Sequence, residues 1–378
     1  MRPIETKSVT AGTHRVCAPE VTLAWVRPFY ERMGITRVAD VTGLDDIGIP
    51  VFQAVRPNAK TLSVSQGKGV TAALAETSAV MESIEVWHAE EARLATVSMT
   101  VMEMAPSLPY DIGALNQRPS SVLGGSTTLG WVEAKRWGSG ESVWVPEACI
   151  KLDSTNLATY VPSLFTASSN GLASGNTVEE AISHGVCELL ERDALARVKG
   201  NWQGRLELQG IEGPPAMLLK AFSGAQVSVG VRDLSPLLGV PCFEAVIWSR
   251  SLPFGFTGSG CHLDKNVALC RALTEAAQSR LTLIAGSRDD ISSSIYSRMA
   301  LRRRLQDPIE RLAAPARLWA HVPGPQVTKK HATDIDLLAA AVRRRTGNDP
   351  LVVNLSRPDI GIPVVKVLAP GLTESVSR

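Results

Sequence analysis

The sequence predicts a mixed α/β fold built on three pseudo-repeated units, each a Gly-rich turn leading into an acidic helix. The first observation is the stretch Ser78–Glu85 within SAVMESIEVWHAE. Ser78, Glu82 and Glu85 stand there at i, i+4 and i+7, which stacks them on one helical face. The second is recurrence: Thr71–Glu85, Thr177–Glu191 and Asp264–Gln278 align without a gap. Thr71, Thr177 and Asp264 fall at the helix start, where a short oxygen side chain caps free N–H groups. Ala75, Ala181 and Ala268 follow, then Glu82, Glu188 and Glu275, then Glu85, Glu191 and Gln278. His184 takes the place of Ser78 in the second copy. The third is that short strand-like runs, punctuated by Gly and Pro, alternate with these helices. One SxxxExxE alone is an ordinary charged helix face. Three copies suggest helices that bring their acids to one site.

The elements follow in order. A helix entered near Thr22 carries the periodic Val21, Leu23, Val26 and Phe29, and a hairpin follows in VADVTGLDDIGIPVFQAVRP. Leu62–Ser65 reads as a strand ending in the turn Gln66-Gly67-Lys68-Gly69 before the first acidic helix, about 71–92. Trp131–Trp137 and Ser142–Pro146 flank Gly138-Ser139-Gly140 as a hairpin, and Ile150–Leu152 reads as a further strand. Asn176-Thr177 starts the second acidic helix, with Glu179 and Glu180 favoured in its first turn by the helix dipole. A helix at Pro215–Phe222 and strands at Gln226–Val231 and Cys242–Trp248 give a βαβ-like alternation, and the third acidic helix spans about 264–285. Helices at about 292–306 and 333–345 precede strands Leu351–Leu355 and Pro363–Leu368.

Length and composition set the bounds. The chain has 378 residues, 44% of them hydrophobic and 20% charged, as expected of a globular protein of one large or two ordinary domains. A net charge of +2 without a long basic run argues against a nucleic-acid partner. Arg302–Arg304 and Arg343–Arg345 read as solvated helix faces, and Lys7, His14 and Arg15 as solvent residues of a loop that could reach a phosphate. The six cysteines form no CxxC pair and there is no signal core or membrane-spanning apolar run, so a cytoplasmic protein without a membrane partner is expected. Cys187 reads as a small buried residue.

The chemistry follows from the acids. Carboxylates one turn apart beside a hydroxyl suit a hard cation such as Mg²⁺. Glu179, Glu180, Glu188 and Glu191 among apolar neighbours would repel one another unless a cation neutralised them. The turn at 65–69 resembles a phosphate cradle, yet GxxxxGK(S/T) is not met and no GxGxxG is present. Arg271, Arg280 and Arg288 give the third arm a positive character suited to phosphate oxygens.

These motifs resemble the YcaO family. The resemblance lies in SAVMESIEVWHAE, SNGLASGNTVEEAISHGVCELLERDA, RALTEAAQSRL with SRDD, and IPVVKVLAPGL, and it covers essentially the whole chain. It implies a YcaO-type fold and a non-Walker ATP site in which acidic helices hold Mg²⁺ over the triphosphate. Carried over, Ser78, Glu82, Asn176, Glu180, Glu188, Glu191 and Arg192 are nucleotide and metal residues, with Glu85 completing the first motif and Arg280 or Arg288 reaching phosphate. Glu82, Glu85, Glu180, Glu188 and Glu191 are the expected metal ligands, and Glu82, Glu191 and Arg192 the expected catalytic residues. Residues 1–60 are expected as an N-terminal segment packed on an ATP-binding catalytic domain at 61–378.

GTHR at 12–15 and ITRVADVTGLDDIGIPV at 35–51 resemble the subgroup that works with a TfuA-like partner, which implies thioamide formation on a peptide or protein with an external sulfur donor. The chain ends at PGLTESVSR without the Pro-rich tail usual in azoline-forming relatives. Azoline or amidine cyclodehydration and a non-catalytic ATP-binding adaptor remain the alternatives, and a homodimer stays open.

Overall fold

The computed structural model describes residues 6–8, 11–118, 121–155, 164–198, 204–291, 294, 296, 309, 317–324 and 326–374. Helix α1 (Pro19–Val26) starts before the expected Thr22, because Pro19 at its first turn lacks an N–H that the helix start could not use. The hairpin follows as expected. β1 (Arg37–Asp40) and β2 (Val51–Val55) run antiparallel, and β3 (Val64–Lys68) pairs with the far side of β2. Residues on both sides of position 60 therefore share one sheet.

The expected turn at 65–69 is mostly strand. Gln66, Gly67 and Lys68 belong to β3, over which lies α2 (Ala72–Glu90). A Cβ on Gly67 would overlap the backbone nitrogen of Ala79 and the carbonyl oxygen of Ala75. The glycine serves close strand–helix packing, not a phosphate. The same construction recurs twice. β7 (Leu172–Ser174) leads into α3 (Val178–Arg197), and β11 (Phe256–Cys261) leads into α5 (Lys265–Ala285). Gly260 on β11 meets the backbone of Ala268 and Ala272 as Gly67 meets Ala75 and Ala79. Thr71, Thr177 and Asp264 cap the three helices, accepting from the N–H groups of Leu74, Glu180 and Asn266.

A six-stranded antiparallel sheet backs α2 and α3. β4 (Thr96–Thr100), β5 (Thr128–Arg136), β13 (Leu351–Asn354), β14 (Val364–Leu368) and β7 lie in that order, with β6 (Ser142–Pro146) also on β5. Behind α5 stands an antiparallel sheet of β11, β10 (Cys242–Trp248) and β9 (Ser228–Asp233), so α4 (Pro214–Gly224) precedes a hairpin instead of crossing between parallel strands. A parallel pair joins β8 (Leu206–Glu207) to β12 (Arg317–Leu318). Ile150 and Leu152 are buried but form no strand, since their N–H groups bond Glu147 and Ala89 carbonyls. The C-terminal helix α6 (His331–Thr346) packs on α3, and the helix expected at 292–306 lies largely outside the described residues.

The core falls into parts that match the helices. Val80, Met81, Ile84 and Trp87 of α2 pack with Trp131, Val145 and Phe165; Ile182, Val186 and Leu190 of α3 with Leu338, Val342 and Val367; Leu269, Leu273 and Ala276 of α5 with Phe243, Ile247 and Phe222. Each acidic helix thus rests on its own apolar bed. Gly67→Ala should cost about 3 kcal/mol in urea unfolding, because backbone, not a flexible side chain, stands where the methyl must go. Gly43→Ala, which meets nothing within 4 Å, should stay within about 0.5 kcal/mol. Equal losses would refute the packing role of Gly67.

Candidate active site

The faces of α2, α3 and α5 that turn away from those beds wall one crevice. Equivalent positions set three levels, one helical turn apart: Ser78, His184 and Arg271; Glu82, Glu188 and Glu275; Glu85, Glu191 and Gln278. Each helix is fastened to the strand that launches the next. Glu85 accepts from the Ser174 N–H (2.8 Å) and hydroxyl (2.6 Å) at the end of β7. Glu191 accepts from the Cys261 N–H (3.0 Å) and the Ser259 hydroxyl (2.6 Å) on β11. Lys68 of β3 donates to Glu275 at 2.5 Å. These contacts close a ring. Within their own units, Glu82 accepts from the Gln66 N–H at 3.2 Å and Glu188 from the Gly171 N–H at 3.2 Å.

The ring is electrostatically tense. Burial pushes the Glu85 carboxyl up to about 8, with Glu82 and Glu188 adding to the rise against the Ser174 hydrogen bonds. Glu191 is raised by burial and then by Glu275, although Arg192, Arg271 and Ser259 oppose the shift. Arg192 is raised despite its burial, because Glu191, Glu275 and Glu188 all stabilise its charge; it lies 3.7 Å from Glu188. Arg192 and Arg271 thus both oppose the rise at Glu191.

Other expected site residues sit elsewhere. Glu180 is 1% exposed, two turns before Glu188. Its carboxylate accepts from the Val16 N–H and from the backbone and side-chain amides of Asn176, and pairs with Arg15 at 3.4 Å. The Asn176 side-chain oxygen accepts from Thr22. Arg280 is buried against Asp45 (2.8 Å) and Ser249, whereas Arg288 pairs with Asp290 and feels the Glu82 charge. Lys7, His14 and Arg15 do not behave as solvent residues. Lys7 pairs with Asp334 in the interior, His14 is buried 3.6 Å from Asp264, and Arg15 meets Glu180. Cys187 is buried as expected, and Arg345 leaves the solvated helix face to meet Asp193.

Sequence reasoning left out Lys68, Ser174, Ser259 and Glu275 as site residues. Glu275 carried a usable signal, since it aligns with Glu82 and Glu188. Among the described residues, no group of three His, Cys, Asp or Glu is placed to hold one metal ion. The donor set still fits Mg²⁺, which binds through one or two protein carboxylates and completes its shell with water and substrate phosphates. Glu85 and Glu191, raised first by burial, are carboxylates whose charged form a cation would stabilise.

Comparison with known proteins places these features. Residues 66–373 match the family model described as YcaO cyclodehydratase, ATP- and Mg²⁺-binding. An uncharacterized protein of Mycobacterium tuberculosis is 39% identical over 373 residues, covering 96% of this chain and 83% of its own. An uncharacterized protein in the tfuA 3′ region of Rhizobium leguminosarum bv. trifolii is 36% identical over 389 residues, covering 96% and 89%. The structure of YcaO from Methanopyrus kandleri bound with AMPPCP and Mg²⁺ superposes with a TM-score of 0.69 at 20% identity, covering 98% of this chain and 95% of that one.

Stability in chelator should report the tension at Glu85. Its folded pKa of about 8 lies above the ordinary 4.5, so the folded chain holds the extra proton between those values. The stability this proton provides is complete below 4.5 and lost as pH rises through about 8. Glu85→Gln should remove about 1.4 kcal/mol per pH unit from the slope of urea stability in that window. An unchanged slope would show that Glu85 is not strained.

Proposed function

We propose, from the premise that this chain belongs to the YcaO family of ATP- and Mg²⁺-dependent peptide-modifying enzymes, that it activates a peptide backbone amide for thioamide formation with a TfuA-like partner. The observation that carries this reading is the ring of carboxylates around Arg192, in which Glu85 and Glu191 resist ionising until a cation arrives. The relative in a tfuA 3′ region favours the sulfur outcome.

An amide carbonyl is a poor electrophile with a poor leaving group. Phosphorylating its oxygen turns that oxygen into phosphate, which departs once a nucleophile has added. Glu82, Glu188 and Glu191, with Glu85 beside them, would hold Mg²⁺, which when bound neutralises the triphosphate and aligns its terminal phosphoryl group. Arg192 steadies the phosphates and Arg288 supplies a second positive charge near Glu82. Ser78 lies one turn before Glu82 on the wall where the nucleotide would rest. Asn176 and Glu180 hold the N-terminal segment over the far end of α3, so residues 1–60 complete the site that 61–378 builds. Arg280, committed to Asp45, keeps β1–β2 against α5 in this reading.

Azoline formation is the second reading, favoured by the family's description as cyclodehydratase. Incubation with ATP, sulfide, the TfuA-like partner and its cognate peptide, followed by tandem mass spectrometry, separates the two. Exchange of one backbone oxygen for sulfur is expected. Loss of water at Cys, Ser or Thr without partner or sulfide would overturn the thioamide reading, and ATP use indifferent to peptide would favour the adaptor. Glu82→Gln and Glu191→Gln should each lower turnover about a hundredfold or more while keeping the urea midpoint. A collapse in stability of both variants would instead assign these acids to the scaffold.

A further inference from the structure

Beyond the acids, the crevice changes character. Four of the chain's six histidines, His14, His184, His262 and His331, line a recess at the level of Arg271. The His14 and His262 rings meet edge to face at 4.8 Å, and Arg271 donates to His184 Nε2 at 2.9 Å. His331 and His14 are only 5% and 6% exposed, yet both nitrogens of His331, His14 Nδ1 and Arg271 Nε have no hydrogen-bond partner among the described residues. Buried polar groups of this kind are costly unless something bonds them.

Charge and size narrow what that something is. Burial holds His14, His184 and His262 below the usual imidazole range and His331 at about 3, so the rings are neutral near pH 7. Arg15 and Glu180, both in the lining, pair with each other, and Asp264 beside His14 sits at the positive N-terminus of α5. Arg271 bonds the neutral His184 and brings a positive charge to the lining, which also acts on Glu191. The cavity measures about 20 Å³, room for little more than one water-sized particle. Such a space suits a small ligand, and a monoanion carrying its own proton can accept from Arg271 and the imidazole N–H groups and donate to a bare ring nitrogen.

We propose that this histidine–arginine recess binds the sulfur nucleophile as hydrosulfide, HS⁻; the inference rests on the thioamide reading above. His184 and Arg271 stand one helical turn from Glu188 and Glu275, so sulfur is held beside the amide that those acids serve to activate. The sulfur lone pair forms a C–S bond to the carbonyl carbon of the O-phosphorylated amide. The C–O bond then breaks, its electrons leave with phosphate, and the sulfur proton departs through the neutral imidazoles to give HPO₄²⁻. Amide, ATP and HS⁻ become thioamide, ADP and HPO₄²⁻, with no oxidant or reductant required.

Binding is tested without ATP, peptide or partner, so its outcome is separate from that of the thioamide assay. The full chain, labelled with ¹³C at its histidine rings, is titrated with sodium hydrosulfide at fixed pH in degassed buffer and followed by NMR. Four ring signals should shift and saturate, while His88 and His321, which do not line the recess, stay in place as references. Arg271→Gln should weaken the response at least tenfold, and Arg271→Lys, which keeps the charge, should restore part of it. Sodium phosphate at equal concentration should leave the four signals unmoved. Equal shifts at all six histidines, no saturation, full affinity in Arg271→Gln, or the same response to phosphate would each overturn the assignment.

Discussion

Three strands carry three helices so closely that, at Gly67 and Gly260, no side chain fits between them. This contact governs the rest of the molecule. Glutamates of α2 and α3 thereby reach backbone N–H groups both in their own unit and on the strand of the next, while Glu275 of α5 is met by the Lys68 side chain. A carboxylate that accepts from a peptide N–H has its direction fixed, since the donor belongs to a sheet that cannot rotate. The walls of the crevice are therefore rigid before any ligand arrives.

That rigidity has an electrostatic consequence. The acids cannot swing apart, so burial first and neighbouring carboxylates second raise both Glu85 and Glu191. In the proposed reading a divalent cation would favour the charged form of these acids. The histidine and arginine level next to the acids reverses the sign of the lining within one helical turn.

Local signals were legible in the sequence, and distant partners were not. Caps at Thr71, Thr177 and Asp264 and the i, i+4, i+7 acids depend on neighbours within two turns, so spacing alone places them. Gly67 reads as a turn because glycine answers two needs, an unusual φ and a close approach, that leave the same letter. Lys7, His14 and Arg15 read as solvent residues because Asp334, Asp264 and Glu180 lie far along the chain. The arginines show how phase decides. Arg280 follows Gln278 by two residues, which turns it about 200° around α5 and away from the crevice toward Asp45. Arg271, at the position of Ser78 and His184, faces inward.

The N-terminal segment is held at both edges by late parts of the chain. Thr6 bridges to Lys330, and Lys7 pairs with Asp334 on α6. During synthesis Thr6 and Lys7 emerge more than three hundred residues before Lys330 and Asp334. Until α6 leaves the ribosome, Lys7 has no counter-charge and His14 has no roof, so the recess beside Arg271 is among the last features to form. The recess therefore stays incomplete until both α5 and α6 have been made.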